Sequence, residues 1–227
     1  MANLAHVQPG SFVLDPFCGS ASILLSCAHF GASTAGVDLD ERVLHASPAR
    51  PPGQQAPTWM EELPTGLTEF PGIGANFAEA GLQPPESLIL GDAMGLLPQS
   101  GSDQAHPLPD FSGGRYRSID AIVTDPPYGN MEGRGGAYLP LGERVAGLVA
   151  IASYRLKVGG RLVFLLPVRA GSEPPELVRP DGCMRIEAVR RNPVSIRMDR
   201  LVVVMTKTRN VVPEDLELPA CIEDAYP

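Results

Sequence analysis

Apolar residues in this chain fall into short continuous runs that alternate with segments of helical periodicity. Residues 11–15 (SFVLD) are the first such run, followed at once by the turn DPFCGS and by ASILLSCAHFGA. In that segment Ile23, Leu24, Cys27 and Ala28 share one helical face, and Gly31 closes it. This is strand, glycine turn, helix. Residues 34–37 form a second run ending in Asp38-Leu39-Asp40, and residues 41–46 can continue as a short helix. A connection of this length between two strands predicts a βαβ unit with parallel strands.

Pro and Gly are then too dense over about residues 47–74 for a regular helix or a central strand, which predicts a long surface loop. Order resumes with a short helix over 75–80 closed by Gly81, and a strand over 87–90 running into Gly91-Asp92-Ala93. A second irregular stretch covers about 98–117. Residues 119–124 (IDAIVT) read as a buried strand entering Asp125-Pro126-Pro127-Tyr128-Gly129. Val145, Leu148, Val149 and Ala152 mark a helix over 143–156 that Gly159-Gly160 is expected to end, and residues 161–166 are another buried strand. Two last strands, 184–189 and 201–207, are separated only by residues 190–200, which suits an antiparallel hairpin. The whole pattern predicts one α/β domain over 1–227, a doubly wound, mostly parallel sheet with an antiparallel C-terminal hairpin.

Composition narrows the class. Hydrophobic residues make up 44% and charged residues 19% of the 227, which is a globular balance. No stretch approaches the ~20 apolar residues of a membrane helix, and the N-terminus has no basic segment followed by an apolar run and a cleavage site. The reading is therefore a cytoplasmic protein without a membrane partner. Cys18, Cys27, Cys183 and Cys221 lie far apart and His6, His29, His45 and His106 have no ligand spacing, so reduced thiols and no metal site are expected. Lys plus Arg is 18 against 26 Asp plus Glu, a net charge of −8, the wrong sign for holding nucleic acid by the whole surface. Residues 185–209 depart from this, with seven basic residues against Glu187 and Asp199, so the rest of the chain carries −13. That hairpin is either a phosphate contact or a solvated charged edge that blocks sheet-to-sheet association.

Ligands of open α/β sheets sit beyond the carboxyl ends of the strands, and four strands here end at Asp15, Asp38, Asp92 and Asp125. After the first strand, Pro16, Phe17 and Cys18 lead into Gly19, Ser20 and Ala21, small residues where the backbone must turn sharply beside a helix N-terminus. Asp38, about 20 residues downstream, is placed to accept hydrogen bonds from two ribose hydroxyls. Asp15 would repel a pyrophosphate. A cofactor with a ribose and an ammonium group but no phosphate fits better, and S-adenosylmethionine answers that description. The alternative for the turn taken alone is an ordinary strand-to-helix connection.

Asp125-Pro126-Pro127-Tyr128 looks like the DPPY box of methyltransferases that modify exocyclic amino groups of bases. Such an amine is a poor nucleophile because its lone pair is delocalised into the ring. Hydrogen bonds to the Asp125 carboxylate and to a neighbouring carbonyl such as that of Pro126 would favour a pyramidal nitrogen. The prolines stiffen the turn, and Tyr128 offers a flat face for stacking, worth ~1–3 kcal/mol per base in comparable sites. The plain alternative is a Pro- and Gly-favoured turn.

The combination MANLAHVQPGSFVLDPFCGSASILLSCAHFGA, GVDLD and TDPPYGNME, with GANFAEAGL, LKVGGRLVFLLP and RMDRLVVVMTK, resembles the catalytic domain of the tRNA guanine-10 N2-methyltransferase family. The resemblance implies a Rossmann-like class I methyltransferase fold. S-adenosylmethionine would be held by Asp15, Pro16, Phe17, Cys18, Gly19, Ala21, Asp38 and Leu39, and by Asp92, Ala93 and Asp125. The target guanine of tRNA would lie at Asp125, Pro126, Pro127 and Tyr128. It also implies a small zinc-binding activator subunit as a partner. Two departures stand out: Cys18 and Ala21 occupy positions where family members carry other small residues, often Gly at the second. The resemblance starts at Met1, so the N-terminal RNA-binding THUMP region of the family is expected to be lacking. The other functions to be weighed are a DNA amino-methyltransferase acting on adenine N6 or cytosine N4, and a non-catalytic cofactor-binding scaffold. Cys18 reads as a packing residue, since direct N-methylation needs no covalent adduct. Trp59 either covers the site as a lid or pins its loop.

Overall fold

The computed structural model describes residues 1–40, 72–97, 119–127, 141–172 and 182–211. Among them are seven strands: β1 Phe12–Asp15, β2 Ser33–Asp38, β3 Ser87–Leu90, β4 Ile119–Thr124, β5 Leu156–Arg169, β6 Met184–Pro193 and β7 Met198–Lys207. Three helices accompany them, α1 Ser22–His29, α2 Ile73–Glu79 and α3 Leu141–Arg155, with a 3-10 turn at Ala93–Leu96. The strands make one sheet in the order β3-β2-β1-β4-β5-β7-β6. β1 through β5 pair in parallel, and β7 lies antiparallel between β5 and β6. This is the doubly wound sheet with an antiparallel hairpin that the alternating pattern predicts. Strand order reverses between β1 and β4, so the ligand crevice of such a sheet falls at the carboxyl ends of those two strands.

Period-two alternation explains why both faces are apolar. Phe12, Leu14, Ile122, Leu162, Phe164, Leu201 and Val203 point to one side, where Val145, Leu148, Val149 and Ala152 of α3 cover them. Val13, Ala121, Val123, Val163 and Val204 point to the other, against Cys27 of α1 and the N-terminal Ala2, Ala5 and Val7. Arg161 fastens that N-terminal segment by donating to the Leu4 carbonyl at 2.8 Å. A third cluster joins Leu24 and Ala28 of α1 to Ile73 and Phe77 of α2.

Three elements differ from the sequence expectation. α2 begins at Ile73, inside the stretch read as loop, because buried Ile73 and Phe77 anchor one short turn beside α1. The Gly159-Gly160 pair does not separate α3 from the next strand: α3 ends at Arg155 and β5 starts at Leu156. The glycines instead sit inside β5, where the register against β4 shifts between Ile119 and Ala121, and Gly159 takes φ +85. A Cβ at Gly160 would lie 3.0 Å from the Asp120 carbonyl, so only glycine lets β5 approach β4 there. The hairpin is also longer than its apolar residues indicate. Charged Arg190 and Arg191 pair with Val202 and Leu201, leaving residues 194–197 as the connection. The edge strand tolerates them because its outer face meets water. The expected helix at 41–46, the two long loops apart from residues 72–74, Trp59, His45, His106 and Cys221 lie outside the described residues. None of the helices among the described residues is long and apolar enough to cross a membrane.

Candidate active site at the carboxyl rim

β1 delivers Asp15 to the rim almost fully buried, at 1% exposure. Its Oδ1 accepts from the Phe17 N–H at 3.0 Å and from the Thr124 hydroxyl of β4 at 2.6 Å. Its Oδ2 is buried and meets no donor among the described residues. Burial therefore pushes the Asp15 carboxyl from 3.8 up to about 7, against the two hydrogen bonds and with help from the charges of Asp38 and Asp125. An ammonium group brought to Oδ2 would supply the missing donor and the compensating charge.

The turn after Asp15 is tied to the end of β2. The Cys18 N–H donates to the Val37 carbonyl at 2.9 Å, and the Gly19 N–H donates to Asp38 Oδ2 at 2.8 Å. Asp38 Oδ1 accepts from the Asp40 N–H at 2.8 Å. Both oxygens are thus held in place, and each keeps a further lone pair toward the rim, as two ribose hydroxyls require. Gly19 and Ala21 both have positive φ, 48 and 60. Glycine adopts this at no steric cost, whereas Ala21 does so as the residue preceding α1. Pro16 is buried and Phe17 packs against the main core, so both shape the turn from beneath.

Cys18 is buried against Gly36, where a Cβ would come within 2.7 Å of its Sγ. Burial first, then the charges of Asp15 and Asp38, push its thiol far above the ordinary value, so it is no nucleophile at neutral pH. Leu39 is 65% exposed beside Asp38, an apolar surface for a planar ring. Asp92 is exposed and caps the 3-10 turn by accepting from the Met94 N–H at 2.9 Å. The Ala93 side chain faces the core, leaving only its backbone for a ligand.

Asp125, Pro126 and Pro127 follow β4 directly, beside Asp15 on the neighbouring strand. Pro126 is buried, while Asp125 is about one-third exposed and has Arg200 Nη1 3.8 Å from its Oδ2. Arg144 of α3 donates to the Pro127 carbonyl at 2.8 Å, bracing the proline turn. Tyr128 lies outside the described residues. Three participants were missed from the sequence: Thr124, Arg144 and Arg200. Thr124 and Arg200 lie in segments the resemblance quotes, but their positions beside Asp15 and Asp125, like that of Arg144 against Pro127, are decided by strand pairing and helix packing. No group of three or more His, Cys, Asp or Glu among the described residues could hold a metal.

No family model matches the chain. Over 233 residues it is 29% identical to tRNA (guanine(10)-N(2))-methyltransferase TRMT11 of Xenopus laevis, covering 92% of this chain and 43% of that protein. The human TRMT11 is 28% identical over 92% of this chain and 46% of its own length. The Dictyostelium discoideum protein of the same name is 29% identical over 91% and 38%. Among solved structures, an rRNA methylase from Streptococcus thermophilus matches with a TM-score of 0.51 at 14% identity, over 91% of this chain and 93% of that one. SMU.1697c from Streptococcus mutans, in complex with SAH, matches at 0.50 and 11% identity over 91% and 94%. The chain spans less than half the length of the curated relatives it matches, and its fold is the Rossmann-like fold of methyltransferases.

Proposed function

We propose that this chain is the catalytic part of an enzyme that transfers a methyl group from S-adenosylmethionine to the exocyclic N2 amino group of a guanosine in tRNA, at position 10. The observation that carries the reading is the junction of two sites on neighbouring strands. Asp15 offers a buried carboxylate oxygen without a donor on β1, and the Asp125 carboxylate stands at the end of β4. The similarity to TRMT11 over nine-tenths of the chain supplies the substrate class.

The rim fits the cofactor. Asp15 Oδ2 suits its ammonium, Asp38 its ribose hydroxyls and Leu39 one face of its adenine, with Asp92 and Ala93 beyond. When bound, S-adenosylmethionine supplies an electrophilic methyl on a sulfonium. The protein's part is to aim the nucleophile. Asp125 and the Pro126 carbonyl would each accept a hydrogen bond from the guanine amino group, which draws the nitrogen lone pair out of conjugation, and the proton shed by the methylated nitrogen would pass to the Asp125 carboxylate and on to water. Arg144 keeps the proline turn from yielding, and Tyr128 stacks on the base. Most of the rate then comes from positioning, for which orientation alone can supply about 7–11 kcal/mol.

The reading places the enzyme in the cytoplasm, in keeping with the buried, reduced thiols of Cys18, Cys27 and Cys183. A zinc-binding activator subunit of the kind the resemblance implies would find an apolar sheet edge at β3, where Leu88 and Ile89 are partly exposed and Leu90 is 50% exposed. The test is methyl transfer from labelled cofactor to tRNA transcripts with and without guanosine at the target position, alongside calorimetric titration of the cofactor. Asp125→Ala should lower transfer on the order of 100-fold or more and leave cofactor affinity within a few-fold. Asp38→Ala should lose cofactor binding. Transfer that survives Asp125→Ala would sink the catalytic assignment, and methylation of DNA adenine or cytosine without tRNA would replace the substrate.

A further inference from the structure

β5 continues five residues past Phe164, the residue that pairs with Thr124 at the end of β4. At ~3.3 Å per residue this carries it roughly 16 Å beyond the rim. β7 pairs with it along the way, Arg169 with Met198 and Pro167 with Arg200, and β6 pairs with β7, Asn192 with Arg200. The result is a three-stranded wall standing over the Asp125 side of the site.

Opposed residues of antiparallel strands share a face, as do alternate residues of one strand. By that rule Arg169, Arg190, Asn192 and Arg200 all lie on one face of the wall. Asp199, the acidic residue of β7, lies on the other face, where it pairs with Arg191 at 2.5 Å and accepts from the Gly171 N–H. Glu187, the acidic residue of β6, is engaged by Arg185 near the far end of the hairpin. β5 has none. At the rim end of the wall no acidic residue of β5, β6 or β7 lies on this face, and Arg200 meets Asp125 at the end of β4. Arg169 and Arg190 are exposed, and Arg200 leads down to Asp125. In a chain of net charge −8, this face gathers positive charge locally.

We infer that the face of Arg169, Arg190 and Arg200 is the track that holds the RNA phosphates flanking the nucleotide presented to Asp125. This rests on the tRNA reading above and adds where the polynucleotide lies. Arginine forks suit phosphate oxygens in pairs. Ile196, 94% exposed at the hairpin tip, offers an apolar contact for an unstacked base or a ribose.

The experiment is fluorescence anisotropy of a fluorescein-labelled tRNA transcript titrated with the full chain at several salt concentrations between 50 and 200 mM. Wild type is compared with Arg169→Gln/Arg190→Gln and with a control of equal charge loss at the opposite end of the sheet, Arg185→Gln/Arg209→Gln. The first pair should weaken binding about tenfold at low salt and reduce the slope of log affinity against log salt by about 1.5, since each phosphate contact contributes ~0.7–0.9. The control should stay within about twofold, and cofactor affinity should be unchanged in both. Equal losses in the two variants would mean diffuse charge and overturn the track, as would wild-type affinity and slope in the first. Wild type that binds no tRNA overturns both readings. Binding that depends on this face without any methyl transfer leaves the track standing and removes the proposed reaction.

Discussion

Replacing Asp15 by asparagine separates the carboxylate's cost to the fold from its use to a ligand. At 1% exposure, its charge has no water to solvate it, and the group titrates at about 7 rather than 3.8. The folded-state value is raised, so the acid form is the one the fold favours. The advantage this gives the fold is complete below about pH 4, shrinks as pH rises and the unfolded chain ionises, and is gone above about pH 7. At about 1.4 kcal/mol per pH unit, the gap amounts to roughly 4 kcal/mol at pH 8. Asp15→Asn removes the charge and keeps an oxygen to accept from the Phe17 N–H and the Thr124 hydroxyl. Its amide places donors where Oδ2 lacks a partner, which costs about 1–3 kcal/mol back. Urea unfolding without cofactor should therefore show the variant more stable by about 1–3 kcal/mol at pH 8, and the difference between the two proteins should shift by about 3 kcal/mol in favour of wild type on going to pH 4.5. Cofactor affinity should move the other way and fall, because a neutral amide cannot compensate an ammonium. A stability difference that does not change between pH 4.5 and 8 would refute the buried-charge argument. A variant that binds cofactor as tightly as wild type would remove Asp15 from the binding site.

Gly36→Ala drives a Cβ to within 2.7 Å of Cys18 Sγ and 3.0 Å of Leu24 Cδ1, which should cost about 1–3 kcal/mol by overpacking. It should also weaken cofactor binding by displacing the turn that Gly19 ties to Asp38. Thermal denaturation and calorimetry would read both, and adding Cys18→Gly, which removes the Sγ and also the Cβ that would lie 2.8 Å away, should restore part of each; no restoration would mean the clash with Cys18 is not what weakens the variant. Ala21→Gly relieves a left-handed backbone at φ 60 and should stabilise the chain by up to about 1 kcal/mol, measured by urea midpoint. A loss of stability there would mean that the buried Ala21 methyl is worth more than the strain.

Much of the site was legible in the chain because its chemistry is local. DPFCGS and Asp125-Pro126-Pro127 are short contiguous segments, and apolar runs alternating with helical periodicity were enough to put each at the end of a strand of a mostly parallel sheet. The sequence by itself thus placed both carboxylates at strand ends on one rim. It could not show that Asp15 is buried with one oxygen idle, since that depends on β4 bringing Thr124 beside β1. Nor could it place Arg144 against the Pro127 carbonyl or Arg200 beside Asp125, each set by an element distant in sequence. The hairpin's true length was hidden because arginines at an edge are paired by backbone hydrogen bonds, which side-chain hydropathy does not report. Gly159-Gly160 reads as a helix stop by composition, yet tertiary pairing made it a break within β5, where only glycine allows the close approach to β4. Local segments carry the reactive groups, and only long-range register decides which of them are desolvated, braced or brought opposite one another.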